Sequence, residues 1–572
     1  MKNPRNRLLL GAVLLGLAFA AGGVRGEGRQ DDGILRLHLM WTNDMHGHIA
    51  PEAAKFMNPE HPPPLGGGAS AARYIKEVRA KAAAAGEEVL LMDVGDIFQG
   101  TPIGNNTQGE AVVKYYNAIG YEFVVPGNHD FDMGRVNTER LARMSDFPWI
   151  CANLYEDSTS TYVDWVQPTL MLDYQGLKVG VIGIITPGTE RMSFPDNITG
   201  LEFLPMAETI PKYRDQLRAQ GADLILLAIH EGLPYDPDEG WKRIAGENDG
   251  RADDTQGSYG SNHSAGGMNL MELVNVVPGI DVAVGGHTHR GYHQPWIDPM
   301  HHTMCFESFG NGSSLGHAIL LIDRATGTLL GWEAPREDSS LVTLFEDEWW
   351  PDEEIAAVIR PYHEEAEAKM NSIVGKAAIS MGRGDPGANL VANLVTDAMV
   401  ETFGADFSFQ NGGGLRADIA QGDLTVRDIF SVLPFGNELD LVEMDGRMVR
   451  WVVERRLTGR ASGIHTGGAR IVVDTTRPEW DRIVEFEIGG QPWDPDRIYK
   501  VVVTNFLMEG NSGLDRLTTI PPSQVTPTGV TTAEAVEQYV RRHSPVRPRI
   551  DDRWTESIGH AQAPYLQQEY LP

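Results

Sequence analysis

Cysteine is nearly missing from this chain: 572 residues contain two, Cys151 and Cys305. So few exclude a disulfide framework, and the sequence leaves open whether these two pair or sit as buried thiols. Positive charge is the second scarcity, with 48 Lys and Arg against 79 Asp and Glu and a formal net charge of -31. A field of that sign repels nucleic acid polymers and anionic membranes, so an anionic small molecule has to be drawn in locally, by metal ions or by particular arginines. Long apolar runs are the third. Only Leu8 to Ala21 stands out, and it is short for a membrane span. Lys2, Arg5 and Arg7 precede it and Ala18-Phe19-Ala20 offers small residues for cleavage, the pattern of a secretory signal peptide over residues 1–26. The expectation is an exported protein, periplasmic or extracellular, with no stable membrane insertion once the signal is removed.

A chain of this length exceeds what one core supports, and it divides accordingly. From residue 30 to about 335, short Val/Ile/Leu-rich strands alternate with helical stretches such as Ala69 to Ala84 and Ala207 to Gln220, an α/β pattern. Tyr235 to Gly267, rich in Gly, Asp, Asn and Ser, interrupts the alternation and reads as a long loop. Glu346 to Ile373 reads as a linker helix, with Pro351 and acidic residues near its start and Ile355, Ala356 and Ile359 on one side. A second α/β unit covers 374–550, with strands expected at Asp406 to Phe409, Leu439 to Glu443, Arg470 to Asp474 and Tyr499 to Val503, and 551–572 reads as a polar tail.

Five polar clusters in the first unit each follow an apolar run: Asp44-Met45-His46, Gly95-Asp96, Gly127-Asn128-His129-Asp130, His230, and Gly286-His287-Thr288-His289. Each begins where a strand should end, and the carboxyl ends of strands are where α/β sheets form their ligand crevices. Carboxylate, imidazole and amide oxygen are the donors that hold Mn²⁺, Fe²⁺ or Zn²⁺. An aspartate after a buried strand can bridge two such ions because its charge offsets their repulsion, and Asp96 is the best placed.

The wording and order of these blocks resemble the calcineurin-like metallophosphoesterases, specifically the exported 5′-nucleotidase and UDP-sugar hydrolase family. The matching blocks are Thr42-Asn43-Asp44-Met45-His46-Gly47-His48, Asp93-Val94-Gly95-Asp96, Gly127-Asn128-His129-Asp130-Phe131-Asp132, His230-Glu231-Gly232 and Gly285-Gly286-His287-Thr288-His289. The resemblance implies a four-layer α/β sandwich followed by a C-terminal α/β substrate-binding domain. It implies one divalent ion on Asp44, His46, Asp96 and His289 and a second on Asp96, Asn128, His230 and His287. It also implies a non-ligand His129 that stabilises the transition state or protonates the leaving oxygen, with Asp132 orienting its ring. Asp130 and His48 would lend support from behind.

In the second unit, Asn411-Gly412-Gly413-Gly414-Leu415-Arg416 and Leu433-Pro434-Phe435-Gly436-Asn437 match two further blocks of that family. A glycine-rich turn leaves backbone N–H groups open to an anion and an arginine grips phosphate bidentately. The resemblance makes Phe435 and Phe506 the sandwich around a nucleobase, with Asn411, Gly414, Arg416 and Asn437 in contact with substrate. Two positions depart from the pattern. Ser512, in Gly510-Asn511-Ser512-Gly513, replaces a carboxylate that contacts the nucleoside, and Arg383 is only a candidate for a further phosphate-binding arginine. The function implied is release of phosphate from nucleotides. Alternatives on the same metals are a 2′,3′-cyclic nucleotide phosphodiesterase and a UDP-sugar hydrolase, with a thiosulfohydrolase further off, and a non-catalytic surface nucleotide-binding protein is the alternative of another class.

Overall fold

The computed structural model describes residues 33–557 apart from 55–56, 59, 194, 246–267, 337, 385–386 and 460–462. The expected signal segment, 1–26, lies outside the described residues. Two six-stranded sheets form the first unit. One runs in the order Leu329–Glu333, Ser314–Asp323, Ile34–Thr42, Glu88–Asp93, Phe123–Val124, with Leu341–Thr343 attached to Ser314–Asp323. The other runs Trp296–Ile297, Met304–Glu307, Val282–Gly285, Leu224–His230, Leu177–Ile185, Thr169–Tyr174.

Strand periodicity explains why they stack. Leu35, Leu37, Leu39 and Trp41 point to one face of their strand and meet Val179, Leu226, Val282 and Phe306 of the other sheet in one buried cluster. Gly316 opposite Trp41 makes room for the indole, since a Cβ there would lie 1.9 Å from the ring. Met40 and Leu91, on the opposite face, pack against Ile75 and Val78 of the helix Gly67–Ala85. The outer face of the second sheet is covered by Met206–Ala219 and Leu270–Val276 through Ile210, Leu217 and Leu273. The result is helix, sheet, sheet, helix. Within each sheet the central strands are parallel, so Ile34–Thr42, Glu88–Asp93, Leu224–His230, Val282–Gly285 and Met304–Glu307 all end at the same edge of their own sheet.

Three expectations need correction. The linker helix spans Glu353–Met370, shorter than expected, because the Asp352 side chain accepts from Ile355 N–H and caps it there, and Ile373 already belongs to the next strand. Its apolar stripe of Ile355, Ile359 and Ala366 is buried against the first unit. The loop expected over Tyr235–Gly267 contains a helix, Pro237–Ile244, started by the Asp236 side chain accepting from Glu239 N–H with proline at its first position. Residues 246–267 of that stretch are outside the described residues. The segment from residue 551, expected as a separate polar tail, starts as part of the second unit, since Trp554–Glu556 pairs with Ala469–Val473 and Arg553 is clamped by Asp397 and Asp551.

The second unit is built on a mixed five-stranded sheet, in the order Ile464–Gly467, Phe407–Asn411, Ile498–Thr504, Glu438–Asp445, Val525–Thr531. Helices Leu390–Phe403 and Thr532–His543 bury one face, and Gly446–Leu457 with a four-stranded sheet buries the other. The two cysteines are free and buried, one in each of two separate clusters.

Candidate dimetal active site

At the carboxyl edge of the two stacked sheets the polar clusters meet. Asp96 is 1% exposed, and its Oδ2 has no hydrogen-bond partner although it lies 3.2 Å from Nε2 of His230 and 3.8 Å from Nε2 of His46. Nε2 of His46 lies 3.0 Å from Nε2 of His289, which is 3.4 Å from Asp44 Oδ1. Nε2 of His230 is 3.1 Å from Asn128 Oδ1, and the His230 and His287 rings cross edge to face at 5.2 Å. Donor atoms of Asp44, His46, Asp96 and His289, and those of Asp96, His230 and His287, fall within 4.8 Å of one another. Two sets sharing one carboxylate are the arrangement of a dinuclear site.

Backbone strain marks the same residues. Asp44, His46, Asp96, His287 and His289 all have positive φ, between 46° and 72°. This left-handed region costs a non-glycine residue about 1 to 3 kcal/mol, and it persists where the surroundings over-determine it, as at ligand clamps. The fully buried Asp96 anion is also costly, and in this structure the His230 imidazole at 3.2 Å, which that carboxylate lifts to about 10 against the pull of burial, supplies part of the positive charge it needs. Both observations fit a pair of divalent ions at this point.

Burial lowers His46 and His287 to about 4, so each imidazole is neutral at pH 7 and offers a lone pair. His129 behaves differently. Burial works against its charged form, but the Asp132 carboxylate, and behind it Asp96, outweigh that and lift it to about 10. Its Nδ1 is 2.8 Å from Asp132 Oδ2 and its backbone N–H donates to Asp96 Oδ1 at 2.7 Å. The side chain is 40% exposed, whereas that of His230 is 0% exposed, so the His129 ring stands beside the donors and faces the cleft.

The supports of this cluster are buried side chains that bind loops to one another. Asp130 accepts from Asp96 N–H, Ile97 N–H and Gly127 N–H, tying the second cluster to the third. His48 pairs with Glu52 at 3.0 Å. Sequence reasoning passed over Glu307 and Ser308, at the end of Met304–Glu307, which carry no ligand. Asn43 Oδ1 accepts from both the backbone N–H and hydroxyl of Ser308 while its Nδ2 donates to Asp44 Oδ2 at 2.7 Å. Glu307 accepts from the Thr288 hydroxyl and the Leu233 N–H. The available signal was a charged residue closing a buried apolar strand.

In the second unit, Gly414, Phe435 and Asn437 line one small pocket together with Gln410 and Thr532. Arg416 lies 5.8 Å from the centre of the Phe435 ring, which is 48% exposed. Arg383 binds Asp418 through Nε at 2.9 Å and reaches the Leu415 carbonyl, so it flanks Arg416. Asn411 is buried and accepts from Gln410 Nε2. Phe506 sits in a one-turn helix, Asn505–Met508, and Ser512 follows with φ 58°. Burial, with Asp440 beside it, pushes Glu509, between them, up to about 7, and the Asp132 carboxylate of the first unit adds a smaller contribution in the same direction.

Both units resemble known proteins. Residues 37–291 match the family profile of the calcineurin-like phosphoesterases and residues 373–519 that of the 5′-nucleotidase C-terminal domain. The first unit is thus a calcineurin-like phosphoesterase unit, followed by a 5′-nucleotidase C-terminal unit. Protein UshA of Yersinia enterocolitica is 27% identical over 571 residues, covering 94% of this chain and 96% of that protein. A 5′-nucleotidase of Vibrio parahaemolyticus is 26% identical over 575 residues, covering 94% of each. Among solved structures, a 5′-nucleotidase precursor from Thermus thermophilus superposes with a TM-score of 0.65 at 24% identity, over 91% of this chain and 99% of that one, and shows the same fold. This phosphoesterase is a metal-dependent phosphoric ester hydrolase with a dinuclear divalent site.

Proposed function

We propose that this phosphoesterase is an exported enzyme that releases phosphate from nucleotides. One ion would be held by Asp44, His46, Asp96 and His289 and the other by Asp96, Asn128, His230 and His287, with Mn, Zn or Fe suited to this nitrogen and oxygen donor set. When bound, the pair supplies Lewis acidity that makes a water nucleophilic near neutral pH and offsets phosphate charge. The rest is done by the chain. His129, anchored through its backbone to Asp96 and through Nδ1 to Asp132, presents a charged Nε2–H to the leaving oxygen and donates its proton as the ester bond breaks. Asp132 fixes the tautomer and favours the imidazolium.

Selection falls to the second unit. Arg416 and the Asn411 to Gly414 turn would meet phosphate, with Arg383 beside them. Phe435 and Phe506 would stack a base, worth about 1 to 3 kcal/mol. Asn437 would address its edge, and Ser512 would meet the nucleoside without a charge. Half-exposed Phe435 next to Arg416 supports this, because an aromatic ring left at the surface beside a guanidinium has a face to offer a ligand. The observation that carries the reading as a whole is the buried Asp96 carboxylate, shared by two donor sets that bring four imidazoles around it. A sequence beginning with a signal-like segment supports export.

The test is a phosphate-release screen of the full chain with Mn²⁺ across nucleoside mono-, di- and triphosphates, 2′,3′-cyclic nucleotides and UDP-glucose. The proposal expects 5′-nucleotides to be the preferred group by kcat/KM. Preference for a cyclic nucleotide or UDP-glucose would replace it with one of the alternatives on the same metals. Nucleotide binding without turnover would make the protein a receptor.

A further inference from the structure

One buried carboxylate that is not a candidate ligand joins two of the loops that supply ligands. Glu307 is 0% exposed and ends the strand Met304–Glu307, in register with Gly285 at the end of the neighbouring strand. Its Oε1 accepts from the Thr288 hydroxyl at 2.5 Å and its Oε2 from the Leu233 N–H at 2.8 Å. Thr288 sits between His287 and His289, and Leu233 follows three residues after His230. Both oxygens are therefore occupied by donors of the protein, and Glu307 is absent from the converging donor sets. The two loops also touch: a Cβ on Gly232 would lie 2.5 Å from the Gly286 carbonyl and 2.5 Å from Cγ2 of Thr288.

We propose that Glu307 is a positioning residue that sets the affinity of the metal centre, by locking the His287-Thr288-His289 turn against the loop that follows His230. The physical need is clear from the backbone. His287 at φ 72° and His289 at φ 56° hold left-handed conformations that cost a residue with a side chain free energy and persist only where the surroundings hold them. The turn is further held by the His287 N–H donating to the Asp44 carboxylate, a bond within the donor set itself, and by the Gly286 N–H donating to the Glu231 carbonyl at 3.4 Å. Glu307 holds the turn from behind and leaves every imidazole free. One side chain then orients three histidines contributed by two loops, of which His289 belongs to one donor set and His230 and His287 to the other. Supports of this kind change metal affinity by about 10- to 100-fold when removed.

The inference rests on the two-ion reading of the site, and the experiment separates the two. Wild type, Glu307→Ala, Glu307→Gln and Thr288→Val, stripped with EDTA and dialysed, are titrated with Mn²⁺ by calorimetry, and the thermal transition of each is recorded with and without metal. Wild type should bind two ions. Glu307→Ala should bind Mn²⁺ at least tenfold more weakly, and the rise in Tm that metal confers should shrink. Glu307→Gln, which keeps the volume and one acceptor oxygen, should recover part of the affinity. Thr288→Val, which removes one donor and disturbs folding least, should show a loss of a few-fold. A wild type that binds no Mn²⁺ would overturn the two-ion reading itself. A wild type with two ions beside Glu307→Ala and Thr288→Val variants with unchanged Mn²⁺ affinity would overturn the role of Glu307 alone, including the case where only the metal-free Tm falls.

Discussion

Replacing His129 by asparagine separates proton donation from metal binding. The ring makes no contact that a ligand would need: its Nδ1 is committed to Asp132 at 2.8 Å, and the link to Asp96 runs through the backbone N–H, which asparagine keeps. Both ions should therefore remain in the variant. What is lost is a charged Nε2–H facing the cleft, and a lost acid–base group typically costs 10²- to 10⁴-fold in rate, or about 3 to 5 kcal/mol of barrier. The loss should depend on the leaving group. A ribose alkoxide departs poorly and needs the proton, whereas p-nitrophenolate departs well without it. AMP turnover should fall by roughly a hundredfold or more, while p-nitrophenyl phosphate turnover should fall by less than about tenfold. The assay is steady-state kinetics on both substrates beside metal analysis of the same samples. Equal losses on the two substrates would refute the proton-donor role, and loss of metal in proportion to rate would make His129 a ligand.

Three further outcomes follow from the same geometry. Asp96→Asn should abolish hydrolysis and lower bound metal, because the shared carboxylate is the charge at the centre of both donor sets, and wild-type turnover with two ions bound would contradict this. Ser512→Asp should lower KM for AMP and leave a small aryl phosphate unchanged. Aspartate tolerates the left-handed φ of 58° at this position, and equal effects on both substrates would remove Ser512 from nucleoside contact. Burial, with Glu438 adding to it, raises Asp440 to about 6, above its unfolded value of 3.8. That acid favours the folded state when protonated, so its contribution is complete below pH 4 and lost as pH rises through 6. The Tm of Asp440→Asn relative to wild type should accordingly increase between pH 4 and pH 7, and a constant difference would refute the assignment.

Much of the fold was legible because parallel strands buried on both faces leave continuous apolar runs. The apolar runs Leu224 to Ile229 and Val89 to Met92 form the strands Leu224–His230 and Glu88–Asp93, each within a residue of the run's ends. The donors were legible for a related reason, since each lies just past such a run and has a side-chain type that binds metal. The helix Pro237–Ile244 was readable from Asp236-Pro237 but was hidden by the polar composition around it. Ser308 and Asn43 were not legible, because they bond to each other across 265 residues, and Glu307 offered only the signal of a charged residue closing an apolar strand. The left-handed backbone of Asp44, His46, Asp96, His287 and His289 was equally hidden, as none of these residue types demands it. In the second unit the Gly-rich and Pro-Phe-Gly-Asn blocks were clear, while the effect of Asp132 on Glu509 depends on how two units pack.

The central claim is that two divalent ions, sharing Asp96, are required for this chain to cleave a nucleotide ester. The most direct measurement is AMP hydrolysis by EDTA-stripped, full-length protein titrated with Mn²⁺, with bound metal counted at every point. Phosphate release should be absent without metal and should reach full activity as occupancy approaches two ions per chain. Undiminished AMP turnover in protein that holds no metal, or two ions bound with no phosphate ester cleaved, would contradict that claim.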